Sequence, residues 1–254
     1  MQNLAVALTE KALAPRRNRY TVSLAKHPQD IEECLRLRYE VFAGEMNAQL
    51  GDSGLDKDRF DDHCQHLMVR EQNSGHIVAT TRLLTSDDRD GIGFFYSETE
   101  FDIESILALP GRFMEIGRTC IHPEYRNGAT LGILWQGLAA VTREQEIDYL
   151  IGCASIPFSH GDDYMASVMK QLRTRAFSPD NLRAIPRIPV RGMEEAEIHD
   201  KVALPPLLKG YLRVGARICG EPFWDAAFNV ADVFVLVATE QLNARYSRHF
   251  MNHS

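Results

Sequence analysis

The stretch Phe113 to Ala129 reads Phe-Met-Glu-Ile-Gly-Arg-Thr-Cys-Ile-His-Pro-Glu-Tyr-Arg-Asn-Gly-Ala, and an apolar-striped segment, residues 130–145, follows it directly. The pattern predicts a strand, a tight loop and then a helix. A helix that begins at a tight loop presents free backbone N–H groups and the positive end of its dipole to an anion. The stretch therefore predicts a binding site for a phosphate or phosphopantetheine group at the start of the helix.

Two charged residues, Glu115 and Arg118, lie on the predicted strand that leads into this loop. A carboxylate there can accept a proton, and an arginine supplies a permanent cation. If the loop holds a pantetheine arm, both side chains would lie beside its thioester. The residues favour acyl transfer, although such a pair on one strand is a structural ion pair about as often as a catalytic one.

The composition is that of a soluble globular protein of 254 residues, of which 44% are hydrophobic and 25% charged. A chain of this length forms one large domain or two small ones. The formal net charge of −7 argues against nucleic acid as the main ligand, because phosphate backbones are bound by a surplus of basic residues. Locally, residues 40–62 contain seven acids and two bases, whereas residues 170–217 contain ten bases and five acids. The first region suits a cation and the second an anion.

The five cysteines are widely spaced and form no Cys-x-x-Cys pair, so the sequence supports neither a disulfide framework nor a zinc site. We therefore expect a protein of the reducing cytoplasm, without a bound metal. The N-terminus is too soon interrupted by charge to be a secretory signal, and no apolar run approaches the roughly 20 residues of a membrane span.

The chain divides into an N-terminal arm, residues 1–19, and one predicted domain, residues 20–254. We expect the arm to be flexible. It ends in the basic residues Arg16, Arg17 and Arg19, which would permit contact with the inner face of a membrane.

Within the domain, a core over about residues 20–160 precedes a C-terminal part over about 161–254. Hydrophobic periodicity and turn residues predict the elements of this domain. They are a strand from Tyr20, a helix from Pro28, hairpin strands at 65–71 and 76–84, helices at 101–109, 130–145, 162–175 and 205–216, and strands at 112–121, 148–153 and 230–238. This order predicts an α/β (α+β) fold with a mixed, mostly antiparallel sheet flanked by helices.

Five motifs resemble the motif set of acyl-homoserine-lactone (autoinducer) synthases, which have the Gcn5-related N-acyltransferase fold. They are Arg38-Tyr-Glu-Val-Phe42, Asp58-Arg-Phe-Asp61, Arg82-Leu-Leu84, Phe101 and Glu115-x-x-Arg118. The resemblance implies a single domain of that fold. The chain departs from the autoinducer synthases in its long tail after residue 155, which argues against a homoserine-lactone product.

A larger set of segments resembles the bacterial L-ornithine N-α-acyltransferases of ornithine lipid synthesis, a hemolysin-like family, over roughly residues 30–250. The segments are 115–129, Leu134-Trp-Gln-Gly137, Gly152-Cys-Ala-Ser-Ile-Pro157, 204–216 and Phe228-Asn-Val-Ala-Asp-Val233. This resemblance implies that a 3-hydroxyacyl chain is moved from acyl carrier protein to the α-amine of ornithine, the first step of ornithine lipid synthesis. The implied partners are acyl carrier protein and ornithine, and no cofactor is expected besides the acyl donor.

The motifs also imply roles at the reacting centre. Glu115 would accept the proton that the attacking amine loses, directly or through water. Arg118 and Arg82 would steady that carboxylate or bind the carboxylate of the acceptor in a bidentate manner. Ser155 would donate a proton to the leaving thiolate. The alternative for the charged residues is a buried charge network without a catalytic role.

The resemblance places Arg38 and Phe42 in the acceptor site as well. It also suggests that Asp58 and Asp61 hold the side-chain ammonium of a basic amino acid. Acidic loops are more often merely solvated, so this role rests on the motif match.

The pantetheine arm of the donor would bind the backbone N–H groups of Arg126, Asn127, Gly128 and Ala129, unless this is a plain helix-entry turn. Docking of an acidic carrier protein to an acidic chain needs a local basic face. The candidate residues for it are Arg173, Arg175, Arg183, Arg187, Lys209, Arg213 and Arg217. The alternative is that these charges only solubilise helices.

Three other motifs carry less weight. Gly51-Asp-Ser-Gly54 lacks the strand-turn-helix elbow of a serine hydrolase. His63-x-x-His66 runs into a predicted strand, where residues three apart face opposite sides and do not converge on a metal. Cys153 has no base adjacent in sequence, and direct attack of an amine on a thioester needs no nucleophilic residue.

Two classes of alternative stay open. One keeps the fold, as an autoinducer-type synthase that uses S-adenosylmethionine or an acyltransferase for lysine, glycine or glutamine. The other is a membrane-active or lipid-binding protein without enzymatic activity. Against it, the sequence contains no long apolar or strongly amphipathic cationic segment that would form a pore.

Overall fold

The computed structural model of the chain describes residues 19–46, 48 and 50–240. The predicted arm, apart from Arg19, lies outside the described residues. The strands are β1 Tyr20–Leu24, β2 Gln65–Glu71, β3 Ile77–Thr85, β4 Phe101–Asp102, β5 Phe113–Ile121, β6 Tyr149–Pro157, β7 Ile185–Pro186, β8 Arg217–Ile218, β9 Phe223–Asp225 and β10 Val230–Ala238. The helices are α1 Pro28–Met46, α2 Ser97–Glu100, α3 Glu104–Leu107, α4 Gly128–Glu144, α5 Asp162–Arg175 and α6 Pro206–Arg213.

Eight of these strands form one sheet in the order β1-β2-β3-β5-β6-β10-β8, with β9 alongside β10. Every neighbouring pair is antiparallel except β5 and β6, which run parallel. The predicted mixed, mostly antiparallel sheet is therefore confirmed. Because β10 pairs with β6 along its whole length, the C-terminal part of the chain completes the same sheet. The remaining two strands, β4 and β7, pair separately.

Apolar side chains cover both faces of this sheet, as β10 illustrates. Val233 and Val235 belong to a buried cluster that includes the helix residue Leu134, whereas Phe234 and Leu236 belong to a second cluster. Successive residues of a strand point to opposite faces, so both faces are buried here. Burial of each large apolar side chain contributes roughly 1.5–3 kcal/mol, which accounts for the apolar run from Val233 to Ala238 in this strand.

Several predicted bounds agree with the structure. α1 begins at Pro28, whose fixed φ suits the first turn of a helix, and α5 and β10 have their predicted ranges. The helix predicted over 205–216 ends earlier, at Arg213, because the chain turns at Gly215, where φ is 96°.

The prediction of a helix over residues 101–109 is wrong. Phe101 and Asp102 form β4, and a short helix lies on either side of it. Phe101 is fully buried, with 5.9 Å between its ring centroid and that of Phe234. This tertiary contact outweighs the local helical pattern. The carboxylate of Asp102 then accepts a hydrogen bond from the N–H of Glu104, at the first residue of α3.

The length and hydropathy of the helices bear on whether one of them could span a membrane. Within the described part of the chain, none of them is both long enough and apolar enough to cross a bilayer.

Candidate active site

A fork in the sheet lies where the parallel strands β5 and β6 separate. The last residue pair before the separation is Glu115 opposite Ile151. Directly after it, a Cβ on Gly152 would lie 2.3 Å from the carbonyl oxygen of Ile116, so only glycine permits this close approach. Beyond this point both strands line a cavity of about 550 Å³.

The cavity wall is largely apolar and is completed by three helices. α1 contributes Val41 and Phe42, α4 contributes Leu131, and α6 contributes Leu208 and Tyr211. A cavity of this size, with an apolar wall and a few convergent polar groups, is typical of a site for a small molecule or an acyl group.

A β-bulge places Arg118 in the cavity wall. The register between β3 and β5 shifts by one residue next to Arg82, which lies opposite Gly117. Arg118 itself has a φ of 52°, in the left-handed region that residues with side chains rarely adopt. Its guanidinium carbon lies 4.9 Å from the centroid of the Tyr96 ring and 4.4 Å from that of Phe228. The two rings hold this cation at a defined place beside the fork.

Glu115 is buried at the fork and accepts three hydrogen bonds from the start of α2. Its Oε1 accepts from the backbone N–H of Ser97 at 2.7 Å and from the Ser97 hydroxyl at 2.5 Å, and its Oε2 accepts from the N–H of Tyr96 at 2.7 Å. Burial raises the pKa of Glu115, and these hydrogen bonds offset that rise only in part. A carboxylate has about four acceptor positions, so one remains for a ligand.

The structural alternative considered from the sequence, an ion pair between Glu115 and Arg118, is absent among the described residues. Arg118 instead pairs with two aspartates, with its Nε 3.3 Å from Asp56 Oδ2 and its Nη2 3.4 Å from Asp58 Oδ2. Glu115 therefore forms no ion pair among the described residues, and its pKa is governed mainly by burial and by hydrogen bonds, with a smaller lowering from the charge of Arg82.

Arg38 lies on the buried face of α1, as predicted, and has no exposed surface. It donates to Asp56 at 2.7 Å and to both oxygens of Asp61 at 2.6 and 3.3 Å. Burial alone would raise the pKa of Asp61, but the charges of Arg38 and Arg82 outweigh it and hold that pKa well below its usual range. These residues tie the loop after α1 to the sheet.

Asp58 joins the two arginines of the cavity wall. Its carboxylate lies 2.6 Å from Nη1 of Arg82 and 3.4 Å from Nη2 of Arg118. Asp58 and Asp61, the predicted ligands of an ammonium group, thus both pair with guanidinium groups. An incoming ammonium would have to compete with those guanidinium groups for the two carboxylates. Their role as ammonium ligands stays a prediction.

The loop that is predicted to bind the acyl donor leads into α4, which begins at Gly128. Asn127 caps this helix, since its Oδ1 accepts from the N–H groups of Ala129 and Thr130, both at 3.0 Å. The N–H groups of Arg126 and Asn127 donate to carbonyl oxygens within the loop. Four residues were predicted to bind pantetheine through their backbone N–H groups. Of these four, Gly128 is the one whose N–H makes no hydrogen bond in the described chain. Pantetheine binding here stays a prediction that relies on Gly128 or on displacement of the cap.

Ser155 and Phe42 both line the cavity. The hydroxyl of Ser155 donates to Oδ1 of Asp232 at 2.6 Å, and Phe42 packs edge-on against Phe228, with 5.7 Å between ring centroids. The Ser155 proton therefore points to an acid, and its predicted transfer to a thiolate would require the hydroxyl to rotate.

Sequence reasoning missed the residues that surround these groups. Tyr96 and Ser97, which position Glu115, belong to no motif that marks them. A cluster of three buried acids was missed as well. It consists of Glu100, Asp225 and Asp232, each with a carboxylate oxygen within 4.8 Å of the others. The three lie on separate elements, and the segment around Asp232 was noted only through its resemblance.

The sequence of this chain is also similar to the sequences of known proteins. Residues 37–136 match the Acetyltransferase (GNAT) domain family. The chain is 35% identical over 249 residues to the L-ornithine N(alpha)-acyltransferase of Brucella abortus, covering 90% of this chain and 88% of that protein. It is 33% identical over 255 residues to the L-ornithine N(alpha)-acyltransferase of Rhodobacter capsulatus, covering 91% of this chain and 94% of that protein.

Solved structures share the fold at lower identity. FeeM, an N-acyl amino acid synthase from uncultured soil microbes, superposes with a TM-score of 0.52 at 10% identity, covering 91% of this chain and 97% of that one. BjaI, a CoA-dependent acyl-homoserine lactone synthase, superposes with a TM-score of 0.52 at 13% identity, covering 90% and 89%. At these identities the similarity supports the fold alone.

Proposed function

This chain belongs to the L-ornithine N(alpha)-acyltransferase family and is an acyltransferase, and we propose that it moves a 3-hydroxyacyl chain from acyl carrier protein to the α-amine of ornithine. The observation that carries the proposal is the 35% identity over 90% of the chain. The site supports it with a buried carboxylate at the fork of an apolar cavity. The product would be the lyso precursor of ornithine lipid.

In the proposed reaction, the neutral α-amine attacks the carbonyl carbon of the thioester. The C–N bond forms, the C–S bond breaks, and the carrier leaves as a thiolate that takes up a proton, for which Ser155 is the proposed donor. Glu115 accepts the proton that the nitrogen loses and afterwards releases it to solvent, from which Ser155 recovers the proton that it has donated. Since Ser97 and Tyr96 hold this carboxylate at three points, its orientation is set before substrate binds.

Stabilisation of the oxyanion would come from the backbone of β5. In the described residues, the edge of β5 that faces β6 has no ladder partner past Glu115. We assign the N–H groups of this edge as donors to the thioester oxygen, which becomes negatively charged in the transition state. Splaying of the two strands thus provides both the space and the donors.

For the acceptor carboxylate, Arg118 and Arg82 are the proposed ligands, because both line the cavity. A guanidinium has five N–H donors, so each arginine can keep its bond to Asp58 and still bind a carboxylate. Phe42 would pack against the acceptor. Arg38 would act indirectly, by holding the aspartates, since it has no exposed surface.

Acyl carrier protein as the donor requires a basic contact surface on this acidic chain. Of the predicted docking residues, Arg173 pairs with Glu221 and Arg183 pairs with Asp180. Lys209 is exposed on α6, the helix that also lines the cavity, and is the residue we favour for carrier contact. We place the reaction in the cytoplasm, with the basic arm in contact with the inner face of the membrane.

The test uses the purified full-length protein with ornithine and 3-hydroxyacyl carrier protein, and mass spectrometry of the products. We expect ornithine acylated at its α-nitrogen, together with free carrier thiol. In parallel, expression in a host without ornithine lipids should produce the lysolipid. Acylation of lysine, glycine or glutamine in preference to ornithine, or a homoserine lactone formed from S-adenosylmethionine, would contradict the proposal, as would vesicle leakage without acyl transfer.

A further inference from the structure

Three buried acids converge beside the cavity, although none of them belongs to the reacting groups described above. Glu100 ends α2, Asp225 ends β9 and Asp232 lies on β10, and they are 3%, 8% and 4% exposed. One carboxylate oxygen of each lies within 4.8 Å of the other two. Such a group concentrates negative charge at one buried point.

The protein supplies hydrogen-bond donors to only some of the carboxylate oxygens of these acids. Asp232 accepts the hydroxyl of Ser155, and Asp225 accepts the N–H groups of Ala227 and Phe228 at 2.8 and 3.2 Å, in each case through Oδ1. By distance and angle, neither oxygen of Glu100 accepts a hydrogen bond from any described residue, although Cys153 and Tyr96 lie close enough to lower the pKa of Glu100. A buried carboxylate without donors is costly, so Glu100 points to a ligand that the protein itself does not supply.

The charge of Arg118 lowers the pKa of Asp232 from a distance, without an ion pair. Among the described residues, none of the three acids forms an ion pair with an arginine, lysine or histidine. Burial raises the pKa of Asp232 to about 7, with a further rise from the charge of Asp225, and burial and the charge of Asp232 raise the pKa of Glu100 well above its usual value. A bound cation would favour the ionised forms of Glu100 and Asp232 and so lower both pKa values.

Two members of the cluster, Asp225 and Asp232, line the cavity of the proposed active site together with Glu115, and Glu100 lies next to them within 4.8 Å. A short series of contacts joins the two groups. The hydroxyl of Ser97 lies 2.5 Å from Glu115 and 3.4 Å from Sγ of Cys153. Cys153 precedes Ser155, the partner of Asp232, by two residues on the same face of β6, which is roughly 7 Å along the strand.

We infer that Glu100, Asp225 and Asp232 bind the distal ammonium of a diamino acid acceptor while its α-amine lies at Glu115. The inference rests on the proposed function, because an α-acylated ornithine keeps its distal amine free and charged. An alkylammonium has three N–H donors and one positive charge, and the cluster offers it one oxygen from each acid. Carboxylate oxygens also suit a hard divalent cation, so metal binding is one of the outcomes that the experiment below separates from ammonium binding.

This assignment separates the cation site from Asp58 and Asp61. Those two carboxylates already pair with arginines, whereas Glu100 pairs with none. If the ammonium binds the cluster, mutation of the cluster should reduce the preference for ornithine and mutation of Asp58 should not. Asp58→Asn therefore serves as a comparison variant.

The experiment compares ornithine with norvaline, which has the same α-amine and carboxylate but no distal amine. Wild-type protein should favour ornithine in kcat/KM by about 10²-fold or more, since an unpaired buried polar group rejects the shorter ligand. In Glu100→Gln and Asp232→Asn that preference should fall to about tenfold or less, through a higher KM for ornithine. The KM for the acyl donor should not change. Glu197→Gln, in a separate exposed acidic group, is the matched control and should behave as wild type.

Folding of the variants is measured by thermal denaturation. Because Glu100 makes no hydrogen bond that glutamine would lose, Glu100→Gln should melt at or above the wild-type temperature at pH 8. If Asp232→Asn does not fold because the hydrogen bond to Ser155 is weakened, the inference is tested by Glu100→Gln alone. If folded Glu100→Gln keeps the wild-type preference for ornithine, the inference is overturned. The inference is also overturned if Asp58→Asn is the only variant that loses the preference. Neither result contradicts the proposed function.

If the wild-type protein does not acylate ornithine, the proposed function fails, and the inference is then judged by calorimetry with butylammonium. Binding that weakens at least about tenfold in Glu100→Gln supports an alkylammonium site, and absence of binding overturns it. Stabilisation by Mg²⁺ or Ca²⁺ that is lost in Glu100→Gln, without binding of ornithine or butylammonium, would identify a metal site instead.

Discussion

Arg38 and Asp61, 23 residues apart in sequence, form a two-point ion pair with almost no exposure to solvent: Nη1 lies 2.6 Å from Oδ1 and Nη2 lies 3.3 Å from Oδ2. The contact joins α1 to the acidic loop that follows it. Because Asp61 also lies 3.3 Å from Arg82 in the cavity wall, the pair links the helix to the site.

Removal of Arg38 should therefore destabilise the fold. Arg38→Met leaves Asp56 and Asp61 with fewer cationic partners in a buried place, and we expect a loss of about 3–5 kcal/mol in the free energy of unfolding. Chemical denaturation measures it. The control is Arg36→Met on the same helix, which breaks only an exposed pair with Glu32 and should cost about 0.5 kcal/mol or less. Equal losses in the two variants would contradict a structural role for the buried pair.

Glu115→Gln should produce a folded protein with little activity. If Glu115 accepts the proton of the amine, kcat should fall by roughly 10²–10⁴, with a change in stability within about 1–3 kcal/mol. Glu71 offers a matched control, since it is also a buried strand glutamate that accepts a backbone N–H, from Ser74 at 2.7 Å, but it does not line the cavity. Glu71→Gln should keep wild-type kcat. Wild-type turnover in folded Glu115→Gln would remove Glu115 from the chemistry.

The pH dependence of kcat should report the environment of Glu115. Only the ionised carboxylate can accept a proton, so activity should rise with pH through a pKa that burial has raised above the usual glutamate value. The Ser97 hydroxyl stabilises the ionised form, so Ser97→Ala should move this acid limb to higher pH by roughly 0.5–1 unit. Thr99→Ala, which removes a hydroxyl from the same helix without touching Glu115, should leave the limb in place. A limb that does not respond to Ser97→Ala would assign the titration to another group.

Electrostatic docking of the carrier should depend on Lys209. Reversal of this charge, Lys209→Glu, should raise the KM for acyl carrier protein several-fold and leave the KM for ornithine unchanged. The wild-type rate with the carrier should also fall as salt rises past about 0.1 M, because surface charges are then screened. Lys26→Glu, at an exposed position after β1, is the control. The carrier proposal fails if an acyl-coenzyme A donor is used equally well with the same salt dependence.

The secondary structure was accessible from sequence wherever the local signal and the tertiary environment agree. Pro28 suits the first turn of α1, and the apolar run of β10 suits a strand buried on both faces. Around Phe101 they disagree, because this side chain is buried against Phe234 and the backbone is extended where the local pattern favours a helix. Local periodicity carries no information about that contact.

The candidate site divides in the same way. Glu115, Arg118 and Arg82 were recognisable in sequence because strand spacing and a motif mark them, and the structure brings them to one cavity. Their partners were not recognisable, since Ser97 is distant in sequence from Glu115 and a hydrogen bond between them exists only in the folded chain.

The order of the longer strands and helices, the buried position of Arg38, and the strand, loop and helix around Glu115 were determined by the sequence itself, because periodicity and turn residues act over a few neighbouring residues. Only the tertiary structure decided which charges meet. Pairing of β10 with β6 brings Asp232 to Ser155, which is 77 residues away in sequence, and α2 brings Glu100 beside Asp232. The free energy of a charge depends on its distance to other charges and on its burial, and both are properties of the fold rather than of the local sequence.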